Sequence, residues 1–140
     1  MIDYSDWITK LEAELPALAP SVKTIGFARD VFKLQNGTTK QLPAVFVLPF
    51  QENVEIVDST ATHIEIIEQQ VEIVTIASDY ANADGSELQL IRNAINTVLM
   101  GWAVPNADDE VHFVRGSRTG YKEKYISWTD IYSVHILNTK

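Results

Sequence analysis

The sequence predicts a single α+β domain over residues 1–140: a mixed or antiparallel sheet of four to five strands packed against two helices, in the order α-β-β-β-α-β-β. Three observations carry this. Two segments, 3–15 and the amphipathic stretch within 78–102, space their apolar residues by three and four. The segments between and after them are rich in Val, Ile and Thr and tend to alternate. The coarse order is helix, two or three strands, helix, two strands, which is the order of an α+β domain. There is no internal repeat, low-complexity tract or linker, and a chain of 140 residues buries roughly 65–70% of its unfolded surface, enough for a core without staples.

In the first helix, DYSDWITKLEAEL, Trp7, Ile8, Leu11 and Leu15 form one stripe, Asp3, Ser5 or Asp6 can cap the first turn, and Pro16 and Pro20 are expected to end it. A short strand is predicted near 23–28 and a turn at NGTTK, 36–40. PAVFVLP, 43–49, reads as a buried strand of about five residues between two prolines, followed by a polar stretch at 51–62. HIEIIEQQVEIVTIA, 63–77, predicts one long strand or two joined by a bend, with Glu68, Gln69 and Gln70 marking a bulge or an exit from the core. Its second half is apolar on both parities, Val71, Ile73 and Ala77 against Val74 and Ile76, so both faces need cover. One helix on each face supplies that; two helices on one face leave the other to a partner chain. VHFVRG, 111–116, and YISWTDIYSVHIL, 125–137, are in hairpin order around RGSRTGYKEK.

The turn ADGSELQL that leads into the second helix is structural. Only Gly85 is present, followed by Ser86 and Glu87, so the lysine and second glycine of a phosphate loop are missing. A calcium loop would put Tyr80 and Ile91 where its strongest carboxylates belong. Asp84 with Glu87, or Ser86 with Gln89, can form a capping box, Leu88, Ile91, Ile95 and Val98 form the buried stripe, and Arg92, Asn93 and Asn96 lie opposite. Gly101 suits a left-handed C-terminal residue, with Trp102 folding back on the last turn.

Nineteen acidic residues against eleven basic ones give a net charge of −8, which removes the long-range attraction that non-specific DNA binding needs. Arg115, Arg118, Lys122 and Lys124 cluster in one segment with only Glu123 opposing them, and the remaining seven cations face eighteen acids. There is no cysteine, no basic-then-apolar leader and no apolar run long enough to span a bilayer, so a protein made and used in cytosol is expected. His63, His112 and His135 lack the spacing of a metal motif and are expected to be solvated or hydrogen-bonded on the sheet. Ser117, Ser127 and Ser133 have no nucleophile elbow. Asp108, Asp109 and Glu110 read as a solvated turn; with a histidine they leave a small metal-dependent hydrolase as a remote alternative. Trp102, Phe113, Tyr121, Tyr125, Trp128 and Tyr132 suit a core or a protein interface better than nucleic-acid stacking, given the charge.

LPAVFVLP, the long β-rich stretch, DGSELQLIRNAINTVLMGWAVP, VHFVRGSR and YISWTDIYSV, in that order over about residues 22–138, resemble the tail terminator (tail completion) proteins of long-tailed bacteriophages. The sequence departs from that pattern where Ala103 and Val104 separate Trp102 from Pro105, and where Asp84 precedes Gly85. The resemblance implies a virion structural protein with no catalytic residues and no cofactor. It would close into a homohexameric ring at the head-proximal end of the tail, stop polymerisation of the tail tube and meet the head–tail connector. A head–tail connector or neck protein is the neighbouring alternative. Its expected partners are its own copies, the tube protein and the connector, with DNA only passing through the lumen. Candidate interface residues are Arg115, Arg118, Tyr121, Lys122 and Lys124 against an acidic surface, and Glu52, Glu55 and Asp58 at the rim or lumen.

Overall fold

The Asp3 carboxylate accepts the Ser5 backbone N–H at 2.9 Å and starts the first helix, α1, Tyr4–Leu18. The computed structural model describes residues 3–27, 42–58, 63–78, 85–122 and 125–139. The expected turn at 36–40 lies outside them. Trp7, Ile8, Leu11 and Leu15 are the buried stripe of α1. Pro16 does not end the helix, contrary to the sequence reading. It lies in the last, solvent-facing turn, where losing one N–H bond is tolerated, and the Ala19 N–H closes on the Leu15 carbonyl at 2.8 Å.

Among the described residues, five strands follow the predicted order: β1 Thr24–Phe27, β2 Ala44–Asp58, β3 His63–Ser78, then helix α2 Ser86–Leu99, β4 His112–Lys122 and β5 Tyr125–Thr139. They form one mixed sheet in the order β1-β2-β3-β5-β4, with β1 parallel to β2 and every other pair antiparallel. The fold is the expected α+β.

β2 is three times longer than the strand read from the sequence. Pro49 does not terminate it: it stays in register with Val71, and the bulge falls at the next residue, Phe50. Among the described residues β1 pairs with β2 only as far as Val47, so Pro49 sits on an edge beside a bulge, where proline is tolerated. Residues 51–58 of the polar stretch are therefore strand, paired with 63–70. Opposite them, β3 runs through Glu68, Gln69 and Gln70 without a break in its pairing to β5, and Gln69 and Gln70 are buried. The irregularity is on the partner strand.

Among the described residues, the two helices pack on one sheet face. Trp7, Leu11 and Leu15 of α1 and Ile91, Ile95 and Leu99 of α2 share a core with Val45, Val47, Val71, Ile73, Tyr132 and Val134. On the opposite face Leu42, Ala44, Phe46 and Ile76 form a second buried cluster flanked by Leu48 and Val74. This accounts for the two apolar parities of VEIVTIA and closes that end of the second face within the subunit. Gly85, at φ 74°, is the N-cap of α2 and no side chain caps it, so the Ser86–Gln89 box does not form; Asp84 lies outside the described residues. Gly101, at φ 78°, supplies the left-handed residue, the Trp102 N–H donates to the Leu99 carbonyl at 3.1 Å, and the Trp102 ring meets Trp7 edge-on at 5.5 Å.

Candidate functional site

Among the described residues, four features of the sheet carry its polar chemistry: a basic edge strand, a buried ion pair beside it, an acidic edge strand and a histidine–aspartate cluster. The basic segment, read as a loop at 115–124, is strand as far as Lys122, with register shifts between Phe113 and Arg115 and between Arg118 and Gly120. Lys124 lies outside the described residues. Gly116 explains why the ladder continues. A Cβ there would collide with Asp130 Oδ1 and stand 2.7 Å from Arg92 Nη2, so only glycine lets β4 close over this ion pair.

That ion pair was not legible in the sequence, where Arg92 falls on the polar side of α2. Arg92 instead reaches the sheet, its Nε donating to Asp130 Oδ2 at 3.0 Å and its Nη2 to Oδ1 at 2.7 Å, in a two-pronged contact with a carboxylate that is 2% exposed. Gln89 accepts a third bond from Nη1 at 3.0 Å, and the guanidinium lies 4.3 Å from the Trp128 ring centroid. Burial pushes the neighbouring Tyr132 phenol far above its usual range, with the Asp130 charge adding and Arg92 opposing; its hydroxyl donates to Asn96 Oδ1 at 3.3 Å.

On the basic strand Arg115 and Arg118 are exposed, and the Arg115 guanidinium lies 5.7 Å from the Phe50 ring. Tyr121 and Lys122 pair with Ile126 and Tyr125. The acidic candidates occupy the other side of the sheet, on the outer half of β2. All of 51–58 is exposed, Val54 and Ile56 by 56% and 58%, and among the described residues β1 pairs with β2 only as far as Val47. Glu52 accepts from Gln69 Nε2 at 2.5 Å, and its charge, after burial, raises the Tyr4 phenol. Asp58 meets His63 Nδ1 at 2.5 Å. Two strands, β3 and β5, separate the acidic set from the basic set in the sheet order, and Arg115 reaches across the face as far as Phe50, two residues before Glu52.

Asp108 and Asp109 lie in a surface bend, as expected, but their carboxylates also bind the sheet. Asp108 Oδ2 accepts the Leu137 N–H and Asp109 Oδ1 the His135 N–H, both at 2.6 Å, while the Asp108 N–H donates to the His135 carbonyl at 2.9 Å. β4 begins only opposite Ser133, so these carboxylates stand in for a missing strand along the last part of β5. Asp109 Oδ2 also lies 2.7 Å from His135 Nδ1 and 3.1 Å from His112 Nε2. Partial burial pushes the Asp109 carboxyl up, and the His135 backbone N–H, the His135 ring and the His112 ring outweigh it and hold the group below its usual value. His63 sits elsewhere, with Asp58 and Glu65. The histidines are hydrogen-bonded on the sheet, as expected. The pairing of His112 with Ser133, two residues from His135, brings two of them to one aspartate. No helix among the described residues is long and apolar enough to cross a membrane.

The model of the phage tail terminator protein family matches residues 1–139. Among solved structures, a chain of the virion of a native gene transfer agent particle shares the fold, with a TM-score of 0.58 at 12% identity, covering 98% of this chain and 96% of that one. No curated protein matches.

Proposed function

The chain belongs to the phage tail terminator family, a family of virion structural proteins, and on that footing we propose that it closes into a ring on the last ring of the tail tube, stops polymerisation and offers a surface for joining the head. The observation that carries the reading is the family match over nearly the whole chain. The charge layout of the sheet supports it. A ring uses heterologous contacts, so one flank of a subunit must complement something other than itself. Here the cations Arg115, Arg118 and Lys122 lie along one sheet edge of an otherwise acidic body. In the proposal this edge, with Tyr121 and Lys124, meets an acidic surface of the tube protein or of the next subunit. A sixfold ring is the expected closure.

The acids Glu52, Glu55 and Asp58, on the opposite edge, then face the rim or lumen, where negative charge lets DNA pass without adhering. The test reverses Arg118 and Lys122 to glutamate and measures ring size by native mass spectrometry and binding to tube subunits by sedimentation. Loss of either supports the basic edge as a contact, and the loss should be mimicked by high salt, which screens exposed charges. Unchanged rings and unchanged tube binding overturn it. Crosslinks from position 55 that never reach lumen-facing sites would remove the acids from the channel.

A further inference from the structure

We propose that Asp109, His112 and His135 form a binding site for a borderline divalent metal ion, with zinc the best match to the donor set. The site would pin the connection between α2 and β4 to the last part of β5.

The donors converge from two stretches of the chain. His112 starts β4, His135 lies on β5 two residues beyond Ser133, the partner of His112, and Asp109 comes from the connection between α2 and β4, three residues before His112. One ligand atom from each lies within 4.8 Å of the other two, and the two contacts to Asp109 Oδ2 are 2.7 and 3.1 Å. Ligands about 2.0–2.1 Å from a tetrahedral zinc are separated by roughly 3.3 Å, so small side-chain rotations admit the ion. Two imidazoles and one carboxylate suit zinc or its neighbours in the transition series and not calcium or magnesium, which require oxygen cages.

The surroundings also fit. Asp109 has its second oxygen fixed by the His135 backbone N–H, which leaves Oδ2 as the ligand atom. Metal at His135 Nδ1 requires the ring proton on Nε2, and Glu68 Oε2 stands 3.9 Å from that nitrogen, beyond hydrogen-bond distance but near enough for a small rotation to make the outer carboxylate contact that commonly orients a metal-bound histidine. The three side chains are one-third to one-half exposed, so ions reach them and water can complete the shell.

The test uses the full-length protein after chelation, titrated with zinc by calorimetry and by competition with a colorimetric indicator. The expected result is one zinc per chain, a rise in Tm that a chelator reverses, and a cobalt-substituted form with d–d absorption. His112→Ala removes a half-exposed ring and should weaken zinc at least tenfold; Asp109→Asn, which keeps an acceptor for the His135 N–H, should do the same. His63→Ala is the control and should leave the stoichiometry unchanged. Absence of stoichiometric zinc at micromolar concentration overturns the proposal. So does binding by both site variants as tight as wild type, with folding checked by circular dichroism. Zinc content is read per chain, so the outcome does not depend on whether a ring forms.

Discussion

Strand β5 is held by charged side chains at two places, and the two are built from different materials. In its middle, Asp130 is enclosed by the Arg92 fork, Trp128 and the backbone of Gly116. Nearer its end, Asp109 reaches in from outside the sheet, and its two oxygens serve a backbone N–H and two imidazoles in a half-open setting. Arginine stays charged at any working pH and its planar fork fits one carboxylate, so the first anchor has a single arrangement. The second shares one carboxylate among three partners that can be exchanged. A rigid anchor thus sits under the helices and an adaptable one at the margin, where a partner or an ion can compete for the ligands.

The largest expected effect comes from breaking the rigid anchor. Arg92→Ala leaves the Asp130 carboxylate buried without its counter-charge, a change that costs about 3–5 kcal/mol. Urea unfolding monitored by tryptophan fluorescence measures it. Arg92→Lys should recover only part, since an ammonium cannot make the two-pronged contact. A cost below that of Asp109→Ala would reverse the ranking of the two anchors.

Gly116→Ala comes next. The added methyl enters the space of Asp130 Oδ1 and Arg92 Nη2, and overpacking of this kind costs about 1–3 kcal/mol. Because Gly116 and Arg92 share a partner, the double variant Gly116→Ala, Arg92→Ala should be less destabilised than the sum of the two singles. Strict additivity would mean that the glycine is required by backbone conformation and not by the ion pair.

Much of the fold was legible because it rests on local periodicity. Leu88, Ile91, Ile95 and Val98 recur at helical spacing, and all four are buried. The anchors were not legible, because they join residues 38 and 26 positions apart through a strand register that no local pattern fixes. One signal was available. In ISWTDIYSV, Asp130 has the same parity as Trp128, Tyr132 and Val134, so a carboxylate on the core-facing side asks for a cation, and Arg92 follows the buried stripe of α2 by one position. Pro49 misled for a different reason. A proline ends a regular ladder but not one that bulges beside it, and bulges leave no mark in composition.

The smallest effect, and the sharpest separation of the anchors, is a pH dependence. The folded state holds the Asp109 carboxyl below its usual value of 3.8, so its contribution to stability is fully present above that value and is lost as pH falls through the lower, folded one. With a chelator present, wild type should therefore exceed Asp109→Asn in stability at pH 7 by well under about 1 kcal/mol, as suits a group that is about one-third exposed and screened by solvent. The difference should shrink toward zero below pH 3.8. Urea midpoints for both proteins across pH 2–7 give the curve. A gap that persists undiminished at the acid end would assign the loss to the shape of the asparagine side chain, and Asp109 would then anchor β5 by geometry in the way Asp130 does, erasing the contrast between the two.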